Sequence, residues 1–171
     1  MTPQTIAAHA IYLTVREQYL AGNLTHSAAT PILTQAMALR TGFMKVVGIT
    51  KEALEAYQAA GFIYIKGIQR AHLNDRIITF SEMLDHPEPM TAQEMANYYE
   101  ERDQTVLALS SQNKNINDLD FIPIDDPSLF AAQRFGFYFT KKREGAFLRG
   151  LASEHLNSGD DPLIANRERG G

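Results

Sequence analysis

Two short apolar runs, separated by a stretch full of helix-start signals, constrain this chain more than anything else in it. The first is Phe62-Ile63-Tyr64-Ile65, which runs on into Gly67-Ile68-Gln69-Arg70-Ala71-His72-Leu73. The second is Thr105-Val106-Leu107-Ala108-Leu109. Both read as strands from their β-branched and aromatic content. Between them, Thr79-Phe80-Ser81-Glu82 reads as a capping box, and Thr91-Ala92-Gln93-Glu94 as a second, with Met90 and Met95 placed as a hydrophobic staple. Helices are expected over 80–84 and 92–102, parted by His86-Pro87-Glu88-Pro89. Strands divided in this way by helices predict a mixed sheet-and-helix fold.

The flanks complete that expectation. Thr2-Pro3 reads as an N-cap followed by proline at the first helical position, and Ile6, Ala10, Leu13 and Leu20 recur at helical spacing as far as Gly22. A second helix is expected from Thr30-Pro31 to Gly42, pairing with the first as a hairpin. Residues 43–47 read as a short strand or a buried connector. Thr50 caps a third helix over 51–60, which Gly61 ends in a left-handed turn. Asn113 to Asp120 is polar and suits a short helix or a loop. Asp126-Pro127 opens a short helix over 128–135, residues 136–140 read as a third strand, and 143–156 as a last helix. The reading is a single α+β domain over 1–156: a helical hairpin preface (1–42), then a core (43–156) with a small two- or three-stranded sheet and a helical insert. Residues 157–171, rich in Gly, Asp and Arg, are expected to be a disordered tail.

Composition excludes several function classes. With no cysteine there are no disulfides, thiolate metal sites or cysteine nucleophiles. No apolar stretch reaches the length of a membrane span and no signal-peptide pattern opens the chain, so a cytoplasmic protein without a membrane partner is expected. A net charge of −4 does not favour bulk nucleic-acid binding, although a local basic patch would permit it. Aromatic residues make up 9% of the chain with no Trp, which argues against a dedicated stacking platform for bases. Charge is segregated. Acidic residues dominate 82–126, while Lys66, Arg70 and Arg76 precede that block and Arg134, Lys141, Lys142, Arg143 and Arg149 follow it. A fold that joins the two basic flanks would make a phosphate-sized positive patch; otherwise they are solvated faces.

Over about residues 62–114 the chain resembles the HNH (ββα-metal) endonucleases. Arg70-Ala71-His72-Leu73 is similar to the tripeptide that ends their first strand, 103–109 to their second strand, and Asn113 falls near their last His or Asn. The resemblance implies a metal-dependent nucleic-acid phosphodiesterase, or an inactive relic of one. His72 would be the general base, with Asp103 and Asn113 beside it in the catalytic group. One divalent ion, Mg²⁺ or Mn²⁺, would be held by Asp75 and Asn113. Arg70, Arg76 and Lys114 would hold phosphates. Ala71 stands where many members carry a metal ligand, and Asp103 where they carry Asn.

Each residue also has a structural reading. His72 suits a hydrogen-bonded histidine between two elements, Asn113 a cap or turn residue, and Asp103 a helix end. On that reading the chain is a non-enzymatic interaction or adaptor protein, whose acidic helical surface would engage a basic protein partner. A DNA-binding regulator that uses the basic flanks is the third possibility. A P-loop and a Gly-x-Ser-x-Gly elbow are both absent from the sequence.

Overall fold

The computed structural model describes residues 1–38, 44–126, 128–133 and 136–156. They form an α+β fold with six α-helices. Its four-stranded mixed sheet has the order β2-β3-β1-β4, and beside it lies a separate two-stranded ribbon.

Helices α1 (Pro3–Leu20) and α2 (His26–Met37) are capped by Thr2 and Thr25, whose hydroxyls accept the N–H groups of Thr5 and Ala28. The second helix thus begins earlier than Thr30, and Pro31 lies inside it. The face that α1 buries is Thr5, Ala8, Tyr12 and Val15, while Ile6, Leu13 and Leu20 face out. Tyr12 decides this rotation. Its hydroxyl donates to Met83 O (3.1 Å) and accepts from Met90 N–H (3.3 Å), so the whole ring is buried with its polar tip satisfied.

Strand β1 (Lys45–Thr50) leads into α3 (Lys51–Ala59), where Thr50 is both last strand residue and N-cap. Gly61 (φ +71°) closes that helix, and Phe62 (φ +58°) repeats the left-handed conformation. Two such residues in succession break the extended run expected at 62–65. The strand β2 (Ile68–His72) begins only after Gly67. Helices α4 (Arg76–Asp85) and α5 (Ala92–Arg102) follow. The first is capped by Asp75 rather than Thr79, which lies buried inside it; the second has the expected capping box of Thr91 and Glu94. Strand β3 (Gln104–Leu109) runs parallel to β1 and antiparallel to β2. A 3-10 helix, Ser110–Asp118, and β4 (Phe121–Pro123), antiparallel to β1, complete the sheet. The ribbon is β5 (Ala132–Gln133) with β6 (Gly136–Phe137), where a helix and a longer strand were expected. Helix α6 is Glu144–His155. The expected tail, 157–171, and residues 39–43 lie outside the described residues.

Two main cores result. Helices α1, α2, α4 and α5 close one around Tyr12, Met37, Phe80, Met83 and Tyr99. The hairpin of α1 and α2 therefore shares its core with the insert between β2 and β3. The sheet, α3, α6 and the ribbon close the other around Leu54, Tyr57, Leu107, Phe130 and Leu148. The sheet's opposite face carries a small third cluster, Ala71, Val106, Ala108 and Ile116. No described helix is long and apolar enough to cross a membrane.

Candidate functional site

Alternation along β2 puts Ile68, Arg70 and His72 on the face of the second core, and Gln69 and Ala71 on the other. Arg70 and His72 extend from Ile68 towards the helical half, and there, at the seam between the two cores, they meet Asp103. Asp103 is the C-cap of α5 and is almost fully buried. One of its oxygens accepts Met44 N–H at 2.5 Å. The other lies 3.7 Å from His72 Nδ1 and 3.9 Å from an Arg76 Nη, which are ion-pair rather than hydrogen-bond distances. Arg70 donates to Met44 O (3.2 Å) and to Gly136 O (2.5 Å). Met44 is in the left-handed region (φ +55°), and its backbone is clamped by Asp103 on one side and Arg70 on the other. The cluster fixes how the chain enters β1.

Its electrostatics follow from burial. Burial pushes the Asp103 carboxyl up to about 6, against the pull of the Met44 N–H and of Arg76 and Arg70. Burial also takes His72 down to about 3, with the charges of Arg76 and Arg70 adding to the fall. At pH 7 the imidazole is neutral but a weak base, and both ring nitrogens are shielded from solvent without a hydrogen-bond partner among the described residues. Arg70 is lowered to about 10 by its own burial.

The structure thus brings together His72, Asp103, Arg70 and Arg76, and separates them from Asn113 and Lys114. His72 lies opposite Thr105 at the start of β3, whereas the 3-10 helix carrying Asn113 and Lys114 leaves from Leu109, which lies opposite Ile68. Those two ladder positions are about 13 Å apart along the strand. The 3-10 helix packs through Ile116 on the opposite sheet face from His72. A mid-length strand with alternating sides explains the split: the family-like spacing is present in sequence, but register and face place its two ends apart. Asp75 is spent as the cap of α4, where it accepts Ile77 N–H at 2.8 Å. Among the described residues no three His, Asp or Glu side chains gather in a way that would hold a metal ion. Arg70, expected to hold phosphate, instead uses both Nη groups on backbone carbonyls.

A second place carries no motif in the sequence. Leu73 N–H donates to Gln104 O (3.1 Å), and Ser110 N–H donates to Gly67 O (2.9 Å). In an antiparallel ladder such exchanging pairs fall on every second residue. The register therefore assigns Gln69–Ala108 and Ala71–Val106 to the same class. The backbone N–H and C=O groups of Ile68, Arg70 and His72 must then point away from β3. β2 is an edge strand, and apart from an isolated bridge between Lys66 and Ile68 no backbone group among the described residues pairs with it on that side. The same reasoning holds for the ribbon. Tyr138 N–H donates to Ala131 O (2.9 Å), so Phe137 turns its own N–H and C=O away from β5.

Between these two edges lies a cleft of about 570 Å³, lined by Tyr64 and residues 68–70 on one side and 136–139 on the other. The Arg70 side chain spans it to Gly136. Tyr64 stands 6.0 Å from Phe137 and 6.3 Å from Phe139 between ring centroids, so the walls are aromatic. Composition had argued against an aromatic platform; the fold gathers here rings that a whole-chain percentage dilutes. The cleft also joins segments from the two basic flanks. Lys66 lies between the lining residues Tyr64 and Ile68, and exposed Lys141 and Lys142 follow Phe139 closely. By contrast, several charges of the acidic helical surface are engaged within their own half. Glu82 pairs with Arg102 (3.4 Å) and accepts from Tyr98 (2.6 Å), Asp85 accepts from Tyr19 (2.7 Å), and Glu94 caps α5.

No family model, curated protein or solved structure matches the chain.

Proposed function

We propose that this protein is a non-catalytic interaction module that accepts an extended segment of a partner protein in the cleft between β2 and β6. The observation that carries the reading is the open edge of β2: the outward N–H and C=O groups of Ile68 and Arg70 line a cleft whose far wall is the outward edge of Phe137. An added strand would satisfy these groups, as in other cases of β-strand addition. It would also join the ribbon to the main sheet. Main-chain pairing supplies affinity, and the aromatic walls supply side-chain pockets. The test starts from peptides selected on the full-length chain from a random display library. Amide exchange is then followed with the selected peptides bound. The Ile68 and Arg70 amides should slow markedly. A selection that yields no ligands, or ligands that leave those two amides exchanging at the free rate, overturns the reading.

A second reading, the HNH-like phosphodiesterase using Mg²⁺ or Mn²⁺, is favoured by one observation, the 3.7 Å approach of His72 to Asp103 with Arg76 beside them. It ranks second because Asn113 lies in the 3-10 helix that leaves β3 at the end far from His72. It expects plasmid nicking that requires the metal and disappears in His72→Ala with little change in thermal melt. Absence of metal-dependent nicking removes it.

A further inference from the structure

The walls of the cleft also say what kind of segment fits, provided the strand-accepting role just described holds. We infer that the partner segment is acidic and alternating: apolar residues on one side, Asp or Glu on the other. Three observations lead there. A strand laid against β2 points successive side chains to opposite faces. One set would enter the space bounded by Tyr64, Phe137 and Phe139, where rings stand about 6 Å apart and favour apolar or aromatic groups. The other set would face outward to the rim.

The sequence around the rim is cationic. The stretches that contain and flank the walls, 62–70 and 136–142, hold no acidic residue, yet between them they carry Lys66, Arg70, Lys141 and Lys142. Arg70 is committed to Met44 O and Gly136 O, which leaves the three exposed lysines for the ligand. The chain as a whole has a net charge of −4, so this edge is a positive patch on a negative body. An acidic segment is repelled elsewhere and drawn here, which favours correct docking over non-specific contact. A nucleic-acid strand shares the charge preference and the liking for aromatic faces. It has no peptide groups to pair with Ile68 and Arg70, and so leaves the open edge unused.

The experiment uses the full-length chain and three labelled probes: an alternating Glu-Val octapeptide, an alternating Lys-Val octapeptide and a dodecamer of deoxythymidine. Fluorescence anisotropy reports affinity. The Glu-Val peptide should bind at least about tenfold more tightly than the Lys-Val peptide, and the double variant Lys141→Glu/Lys142→Glu should remove that preference, a size consistent with a few exposed charge contacts. A thermal melt of the variant equal to the parent shows that the fold is kept, and Tyr64→Ala provides a second variant that weakens both peptides alike. Equal affinity for the two peptides overturns the inference, as does a deoxythymidine strand that binds more tightly than Glu-Val and displaces it. If selected ligands protect Ile68 and Arg70 but carry no excess of acidic residues, the charge inference fails while the strand-accepting role stands. If nothing protects those amides, both fail.

Discussion

The helical half and the sheet half bury similar amounts of aromatic and aliphatic side chain, but they finish their polar groups differently. In the helical half each of α1, α2, α4 and α5 starts on its own cap, Thr2, Thr25, Asp75 or Thr91. Several surface charges there are satisfied by neighbours in the same half, as with Glu82 and Arg102. In the sheet half the core is built from segments distant in sequence, and among the described residues the outer edge of β2 carries no paired strand beside an aromatic cleft. Between them lies Asp103, flanked by Arg70, His72 and Arg76. The difference separates roles: a self-contained helical support, a seam of buried charge, and an edge with unmet bonding capacity. Unmet capacity is where a ligand gains most, because strand addition pairs groups that are otherwise left to water.

The comparison breaks first at the seam. Asp103→Ala removes the acceptor of Met44 N–H and the counter-charge of two arginines, and should cost about 3–5 kcal/mol in denaturant unfolding, since it strands buried charge. Both halves should melt together in that variant; loss of one half alone would show that the seam does not couple them. Next is Gly145 in α6. A Cβ there would meet the backbone oxygen of Phe62 at 2.6 Å. Gly145→Ala should cost about 1–3 kcal/mol by overpacking, with increased amide exchange confined to the sheet half. Smaller again is Thr91→Ala, which removes one side of the capping box and should cost about 1 kcal/mol, with increased exchange seen in α5 and not in the ribbon. Reversal of either exchange pattern would erase the distinction between halves.

The smallest effect is in pH, because two opposed groups share the seam. Asp103 is raised in the folded state, so its contribution is full below the unfolded carboxylate pKa and is lost as pH rises through about 6. His72 is lowered, so its contribution is full above the unfolded imidazole pKa and is lost as pH falls towards about 3. Between about pH 4 and 6 these slopes oppose each other, and the parent should vary little. Asp103→Asn should gain stability with rising pH in that window, and His72→Gln should lose it. Urea titrations at three pH values give the slopes, and equal slopes in the two variants would contradict the assignment.

Local signals were legible in the sequence and non-local ones were not. The caps at Thr2, Thr50 and Thr91 are stated by a few adjacent residues, and the structure uses all three. The α+β class follows from strands parted by those helices. Two local start signals, Thr30-Pro31 and Thr79, misled, and other failures depended on partners far along the chain. The buried face of α1 was set by Tyr12 finding Met83 and Met90, more than seventy residues away. Counting apolar residues alone picked the outer stripe, Ile6, Leu13 and Leu20. The strand at 62–65 was lost to a left-handed backbone at Phe62, which side-chain type does not announce. For the candidate site, His72, Asp103, Arg70 and Arg76 were picked out one by one and do meet. Their burial and the bonds of Arg70 to Met44 and Gly136 were invisible, and so was the free edge of β2, which exists only once β3 has taken the other side.

That edge has a consequence for how the molecule assembles. Strands β2 and β3 are hydrogen-bonded neighbours, yet the chain leaves one at His72 and returns at Gln104 after two intervening helices. Closing so long an excursion carries an entropic penalty that a tight hairpin avoids, and compacting α4 and α5 against α1 and α2 shortens the search. Folding should therefore run from the helical half to the sheet, with edge strand β2 among the last elements to dock. A newly made chain would thus present the edge of β2 only after its helices have already set.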